Sequence, residues 1–303
     1  MKMKNNTIRF LLRIIPICCI ISCTERIDIR TDDAPPRMVI NGAITTDAKQ
    51  HSIRITRSTG YFSTDKPAVI SRATVTITDS DGKVIPLAEN ETEAGLYQTA
   101  KNVRGEEGKT YTLDVYLDDE HYQAKAHLNH SIQVDSISLQ QSPVFRNRSI
   151  VEVLLYAQDI PGENYYSIFV AINDSVLNNT INRYSVMSNT MFKGDYVDGV
   201  AIYYLNQEPH DNDRDHREVL HIGDKVTLIV HTISKEYAGF ISQVQTELHG
   251  SVPIFGGPPA NVTTNIRCIQ PKEGRPVSGF FTAFPTRSAE VIVEEDYKTK
   301  KQY

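Results

Sequence analysis

The chain lacks tryptophan, a basic excess and any apolar run long enough to cross a membrane. The missing tryptophan disfavours a carbohydrate-binding face, which usually depends on large flat rings. The 32 basic and 37 acidic residues give a net charge of −5, which argues against nucleic acid or anionic lipid as the partner. The main apolar run, residues 10–21, is interrupted by Arg13 and Pro16 and is shorter than the roughly 20 residues of a membrane-spanning helix.

Catalytic signatures are missing as well. The sequence contains no Gly-x-Ser-x-Gly elbow, no His-Glu-x-x-His pair and no glycine-rich phosphate-binding loop. These absences favour a protein that is not an enzyme. Two carboxylates that cleave glycosides need only meet in space, so a cryptic hydrolase stays as a third hypothesis.

The first 23 residues carry the most specific signal in the sequence. Lys2, Lys4 and Arg9 precede the apolar run, which ends in Ile-Ile-Ser before Cys23. A basic start, a short apolar segment and a small residue before the cut are typical of a secretory signal, and the cysteine indicates its lipoprotein variant. We therefore predict a signal peptide over 1–22 and covalent diacylglycerol and acyl chains on Cys23. The alternative is an ordinary secreted protein with an accidental cysteine.

Removal of the signal changes both the charge and the cysteine content. Four basic residues leave with it, so 28 basic residues face 37 acidic ones and the net charge becomes −9. Cys18 and Cys19 also leave, which leaves Cys268 as the one free thiol and allows no intramolecular disulfide. Cys268 lies in a strand-like pattern and is interpreted as a small buried hydrophobe. The polar segment 23–36, which ends in Pro-Pro, is predicted to be a tether.

Alternation with a period of two runs through most of the remaining chain. Residues 52–57, 73–78 and 110–117 alternate between apolar and polar, as half-buried strands do. Asp81-Gly82 indicates a tight hairpin turn in which both central residues need positive φ. We predict an immunoglobulin-like or prealbumin-like β-sandwich domain over 37–130.

A second and larger β-domain is predicted over 131–303. Further strand patterns lie at 149–156, 165–172, 200–205 and 225–231, with more near the C-terminus. One helix interrupts them at about 234–249, with Ser234 as its N-cap and a stripe of apolar residues at helical spacing. The predicted fold is mostly β: two β-sandwich-like domains, the second carrying one amphipathic helix.

The densest polar cluster lies at 208–221. Asp211, Asp213 and Asp215 at alternate positions are similar to the first ligands of a calcium loop, and His216 beside them also suits a transition metal such as zinc. The sixth position of a calcium loop should be glycine but is His216, and the twelfth should be Glu but is Ile222. The competing interpretation is a solvated loop between two strands.

Four pairs of adjacent aromatic residues are candidates for a binding face. Neighbouring strand residues point to opposite faces, so one member of each pair is expected in the core and the other can be exposed. The pairs begin at Tyr61, Tyr165, Tyr203 and Phe280.

Two sets of residues together resemble a known family. The first set comprises 71–78, Gly82, 95–97 and 108–113; the second comprises 255–262, 264–266 and 277–281. With the Cys23 motif, they resemble the Bacteroidota outer-membrane lipoproteins grouped as domain of unknown function 4249. The present sequence departs from that pattern at Cys268, where small residues are common.

The resemblance implies an outer-membrane location and an accessory role beside a TonB-dependent receptor in nutrient or metal uptake. It assigns no catalytic residues and does not decide between the cell surface and the periplasmic face. The leading hypothesis is therefore a non-enzymatic lipoprotein that binds a ligand or a receptor partner. The alternative is a structural or adhesive protein of the cell surface.

Overall fold

Strands form most of the molecule, as the period of two predicts. The structure, a computed structural model, describes residues 36–59, 65–142, 150–207, 218–249, 262–270 and 276–294. Within them lie one α-helix, α1 (Lys235–His249), and a 3₁₀ turn at Ile181–Arg183. The strands are β1 (Met38–Thr45), β2 (Ser52–Arg57), β3 (Ala68–Val69), β4 (Thr74–Asp79), β5 (Val84–Glu89), β6 (Leu96–Gln98), β7 (Thr110–Leu117), β8 (Glu120–His127), β9 (Gln133–Gln141), β10 (Ile150–Gln158), β11 (Tyr165–Ile172), β12 (Ser175–Val176), β13 (Ser185–Ser188), β14 (Tyr196–Asn206), β15 (Lys225–Ile233), β16 (Ile266–Gln270), β17 (Val277–Phe284) and β18 (Thr286–Ile292).

The burial of each strand follows its sequence pattern. In β4, Val75 and Ile77 are buried while Thr74 is exposed. Burying the larger apolar side chains from one face stabilises a sheet by about 1.5–3 kcal/mol for each residue. The predicted mostly-β fold with one amphipathic helix is confirmed.

Ten strands form the first sheet, in the order β16-β8-β7-β4-β5-β6-β2-β1-β17, with β3 beside β2. Its pairs are antiparallel except that of β1 with β17, which is parallel and joins Met38–Thr45 to Val277–Phe284. The apolar side chains of this sheet enclose the first core cluster, in which Ile40, Ile53 and Phe281 are fully buried.

Asn265 ties the two ends of this sheet together. Its side-chain amide donates to the backbone oxygen of Phe281 at 2.7 Å and to that of Lys125 at 3.2 Å. Its side-chain oxygen accepts from the backbone N–H of Phe281 at 3.0 Å. One amide thereby bridges β17 and β8, the neighbour of β16, and the sheet curls into a barrel-like form.

Two smaller sheets pack face to face as a sandwich. One has the order β14-β10-β9, and the other has the order β12-β11-β15-β18 with β13 beside β11. Alternate residues of β10, β11 and β15 fill the second core cluster between them, among them Val153, Val170 and Leu228. Adjacent apolar runs in β10 and β11 show why these strands are buried on both faces.

The hairpin at Asp81-Gly82 joins β4 to β5 as predicted, but its turn differs from the predicted type. Gly82 has φ of +85°, whereas Asp81 does not have positive φ. Gly82 N–H donates to Asp79 O at 3.0 Å, and Asp79 N–H donates to Lys83 O at 3.0 Å. This is a type I turn followed by a left-handed glycine, which also matches the twist of the paired strands.

The chain passes from the first core cluster to the second between β8 and β9. Leu128 lies in the first cluster and Ile132 in the second. The chain later returns, since β16 and β17 belong to the first sheet and β18 to the third. The described residues from 36 onward form one compact unit. The predicted division at residue 130 stays a prediction.

Helix α1 covers a third, aromatic cluster. Ser234 caps it, because its Oγ accepts from the backbone N–H of Tyr237 at 3.1 Å. The inner face buries Phe240 and Ile241 against Phe280 and Phe284 of β17. No helix in the described residues is long and apolar enough to span a bilayer.

We predict that Gly279→Ala breaks the parallel pair of β1 with β17. Gly279 has φ of +96°, and an added Cβ would lie 2.1 Å from the backbone oxygen of Ile40. The free energy of unfolding should fall by about 3 kcal/mol or more, as measured by denaturant titration. Gly239→Ala is the matched control: a Cβ there meets nothing within 4 Å, so this helical substitution should stabilise by about 1 kcal/mol. Equal stability of the two variants would contradict the close approach of Gly279 to the backbone of β1.

Candidate binding surfaces

The residues predicted to carry chemistry lie outside the described residues. These are Cys23 and the metal candidates Asp211, Asp213, Asp215 and His216. The metal hypothesis, calcium or zinc, therefore stays a prediction. Among the described residues, no three His, Cys, Asp or Glu side chains lie close enough together to hold a metal ion.

The two residues that flank the acidic segment are hydrogen-bonded to each other. The Gln207 side-chain amide donates to the backbone oxygen of Glu218 at 2.8 Å, and the Glu218 carboxylate accepts from the backbone N–H of Asn206 at 3.0 Å. Leu220 N–H donates to the Gln207 side-chain oxygen at 2.8 Å. Gln207 and Glu218, the described residues on either side of 208–217, thus lie next to each other at the end of β14.

Cys268 is half-buried and free. It packs at the margin of the first core cluster, opposite Tyr122 of β8. Its Sγ lies 3.2 Å from the backbone oxygen of Gln270. The side chain packs against the core, but the predicted burial was wrong, since Cys268 is only half-buried near the end of β16 at the edge of the sheet.

The first surface to consider is the outer face of β4, β7 and β8, which we call the polar sheet face. Asp114 accepts from His121 Nε2 at 2.7 Å and from the Gln123 amide at 2.9 Å. The Tyr116 ring stacks on the His121 ring with centroids 4.1 Å apart. Register places Thr74 and Thr76 beside Tyr116 and Asp114. The face offers donors, acceptors and one ring for recognition.

The second surface is the loop of residues 189–195, which we call the anchored loop. It leads from β13 into β14, and a buried carboxylate below it holds it in place. Asp159 is 2% exposed and accepts hydrogen bonds from the Tyr166 hydroxyl, from the Asn189 amide at 2.8 Å and from Gly194 N–H at 2.7 Å. Asn189 in turn accepts from the backbone N–H of Asn164 at 2.8 Å. Burial, and then the bond to Asp159, raises the pKa of Tyr166.

The sequence places a glycine at one of the two positive-φ positions of this loop. Lys193 and Gly194 both have positive φ, which a glycine adopts freely. Phe192 turns inward and packs against the second core cluster. Met191 turns outward and is 85% exposed, while Tyr196 just beyond the loop is 50% exposed. No sequence signal had marked this loop, because its anchor, Asp159, lies about 30 residues away in the chain.

The aromatic layer under helix α1 is the third feature. His231 lies between the rings of Phe169 and Phe284, with centroid distances of 5.0 and 4.4 Å. Phe169 also packs edge-on against Tyr184 at 4.8 Å. These contacts make the layer a core element between β15, β17 and the helix.

The aromatic pairs follow the predicted alternation in part. Tyr166 is buried, and Tyr204 is 50% exposed beside the half-buried Tyr203. At Phe280-Phe281 the expectation of an exposed member was wrong, since both side chains are buried. The reason is that β17 has core on both faces, the first cluster on one side and the aromatic layer on the other. Tyr61 and Phe62 lie outside the described residues.

The imidazole in the aromatic layer should make stability depend on pH. Burial lowers the pKa of His231 from 6.5 to about 4, with Asp47 opposing and Lys49 adding to the shift. The folded state therefore binds fewer protons than the unfolded state between these values, and stability is lost as pH falls from 6.5 towards 4. At about 1.4 kcal/mol for each unit of pKa difference, the loss is about 3 kcal/mol.

Denaturant titrations at pH 7, 5.5 and 4 measure this loss. In His231→Phe, the part due to this side chain should disappear, while the buried His51, whose pKa burial also lowers, keeps contributing. The control His127→Phe alters an exposed histidine whose ring bonds the Thr110 hydroxyl at 3.1 Å, and it should follow the unmodified protein. An unchanged pH dependence in His231→Phe would refute the assignment.

Removal of one oxygen from the buried carboxylate should loosen the anchored loop. Asp159→Asn keeps the shape but replaces an acceptor by an N–H₂ group that faces other donors. We expect a loss of about 1–3 kcal/mol in the free energy of unfolding and faster hydrogen exchange at the Gly194 amide. Asp195→Asn, an exposed carboxylate in the same loop, is the control and should change neither quantity.

Comparison with known proteins identifies one family. The family model described as "Domain of unknown function (DUF4249)" matches residues 24–290. A crystal structure of a DUF4785 family protein from Legionella pneumophila is similar at 9% identity, over 63% of this chain and 51% of that chain, with a TM-score of 0.23. The chain thus spans about half of that structure, and a TM-score this low carries no argument. The comparison with curated proteins gives no match.

Proposed function

The chain belongs to the family described as a domain of unknown function (DUF4249), and from this premise we propose that it is a lipid-anchored outer-membrane protein that acts by binding. It is an accessory component that holds a ligand or a receptor partner in nutrient or metal uptake. A TonB-dependent receptor is the partner that we expect.

The observation that carries this proposal is the position of Cys23 relative to the family domain. The family match begins at residue 24, directly after the cysteine of the lipoprotein motif. On this proposal, the polar segment 23–36 is the tether between the acylated Cys23 and β1, which begins at Met38. Two or more acyl chains hold a protein to a bilayer stably, because each buried CH₂ contributes about 0.8 kcal/mol.

The surfaces of the described residues support a role in contact. A cavity of about 530 Å³ over β5 and β6 is wide and open, and one of about 140 Å³ lies between β8, β17 and the start of α1. The anchored loop exposes the side chain of Met191, and the polar sheet face exposes the ring of Tyr116. Small ligands favour enclosed apolar pockets, so exposed surfaces of this kind suit a second macromolecule better.

Mutation of the acylated residue tests the anchor. Cys23→Ala should abolish acylation and release the protein from the outer-membrane fraction, as followed by mass spectrometry of the N-terminal peptide and by membrane flotation. Cys268→Ala removes the other thiol of the mature chain and should leave the protein membrane-bound. An unacylated N-terminus in the native material would refute the anchor.

A pull-down with the native lipoprotein, extracted in mild detergent, tests the partner. It should recover a TonB-dependent receptor, which mass spectrometry identifies. Recovery of no receptor counts against the accessory role. A deletion strain that loses attachment but keeps uptake would favour the structural or adhesive alternative, and turnover of a glycan or ester would favour the hydrolase.

A further inference from the structure

We propose that the anchored loop, residues 189–195, is the element that docks on the partner, and that the partner is another protein whose surface offers an apolar pocket rimmed by Lys and Arg. The inference rests on the proposed function, because it names the contact through which an accessory protein holds its partner. The occupant of the pocket is Met191, and Tyr196 at the start of β14 is a second exposed contact residue.

A single exposed apolar residue is ordinary on a protein surface. Met191 differs because it is presented by a rigid frame while its neighbour Phe192 is used as a core anchor. The backbone N–H groups of Phe192 and Lys193 both donate to Asn189 O, at 2.8 and 3.0 Å. These bonds order the backbone on the C-terminal side of Met191, whose side chain is 85% exposed.

Hydrogen bonds hold the anchored loop at both of its ends. Asn189 donates to Asp159 at 2.8 Å and to the backbone oxygen of Gly162 at 2.9 Å. Gly194 donates to the same carboxylate at 2.7 Å and accepts from the Gln158 amide at 2.8 Å. A loop ordered before binding loses little conformational entropy on association, which is how preorganised surfaces gain affinity.

The residue types at the tip are those of interfaces. Met and Tyr are enriched at the centres of protein–protein contacts, whereas Lys and Glu are depleted there. A few such anchors provide most of the binding energy when they enter pockets on the partner. Met191 in the loop and Tyr196 at the start of β14 are exposed residues of these types.

The charges around the tip specify the partner. Asp195 and Asp198 are exposed at the end of the loop and in β14. Partial burial, then the hydrogen bond to the Asp135 carboxylate and the charges of Asp135 and Asp198, raise the pKa of the Tyr196 hydroxyl. Lys193 is the one basic residue of the loop. Three carboxylates and one ammonium repel an anionic membrane and attract a basic protein rim.

The polar sheet face is the weaker candidate for the same role. Its central groups already satisfy each other, since Asp114 accepts from both His121 and Gln123. A partner there would exchange existing hydrogen bonds for new ones, which contributes little net free energy. At the anchored loop, burying Met191 removes apolar surface from water without breaking any bond.

The test uses the acylated full-length protein and the partner that the mild-detergent pull-down identifies, purified and titrated. Met191→Ser should weaken binding at least tenfold, because it removes the anchor side chain. Met191→Leu should restore most of the affinity, since it returns apolar volume. Leu248→Ser changes an apolar residue that is 60% exposed on helix α1 and should bind as the unmodified protein does.

Two further measurements examine the hydrogen bonds that hold the anchored loop and the charges around Met191. Asp159→Asn should weaken binding through a loosened loop while Met191 is still present. Raising the salt concentration from 0.05 to about 0.5 M should weaken the association with the unmodified protein, and this dependence should shrink in the double variant Asp195→Asn, Asp198→Asn.

Unchanged affinity in Met191→Ser, or an equal loss of affinity in Leu248→Ser, would overturn the inference. So would self-association of the protein in size-exclusion chromatography that Met191→Ser abolishes, because the occupant would then be a second copy of the chain. Met191-dependent binding to phosphatidylethanolamine–phosphatidylglycerol vesicles in place of protein would also overturn it, because the occupant would then be a membrane. The inference and the proposed function fail separately. A receptor that binds independently of Met191 refutes only the inference, whereas a different, identified protein that depends on Met191 refutes only the receptor role.

Discussion

The parallel pair of β1 and β17 is the constraint on which the remaining architecture depends. It joins residues about 240 positions apart, with Asn41 accepting from the backbone N–H of Phe280 at 3.1 Å. Through this pair, β17 places Phe281 in the first core cluster and Phe280 in the aromatic layer. Closing so long a loop costs conformational entropy, which the burial of two large rings offsets. Without the β1–β17 pair, Phe280 and Phe284 would not be held against helix α1.

The strands and the helix could be predicted from the sequence because each depends on a local period. Ser234 and the apolar stripe that follows it are enough to place α1 to within one residue. The sheet partners could not be predicted in this way. Nothing near Ile266 indicates that β16 pairs with β8, and nothing in Phe280-Phe281 reveals that β17 has core on both faces. Both facts depend on contacts between distant segments, which a local pattern does not encode.

Several residues that carry the family resemblance make contacts that join separate strands of the fold. Gly279 lies where a Cβ would meet the backbone of β1, and Asn265 ties β17 to β8. Tyr97 donates its hydroxyl proton to Ile70 O at 3.0 Å and accepts from Ala73 N–H at 2.9 Å. Such positions identify the architecture and say nothing about a ligand. The family could therefore be recognised from the sequence, whereas the surfaces that distinguish this chain could not.

Rigidity and exposure usually oppose each other in a loop, since an ordered backbone is normally ordered by burying its side chains. The anchored loop separates the two. Phe192 and the Asp159 network fix the backbone from below, and this leaves Met191 free of any role in folding. A side chain that stability does not require, on a backbone that a buried carboxylate holds in place, is available for recognition. Under the proposed acylation of Cys23, the loop would meet a membrane partner at high effective concentration, at which even a modest contact is enough.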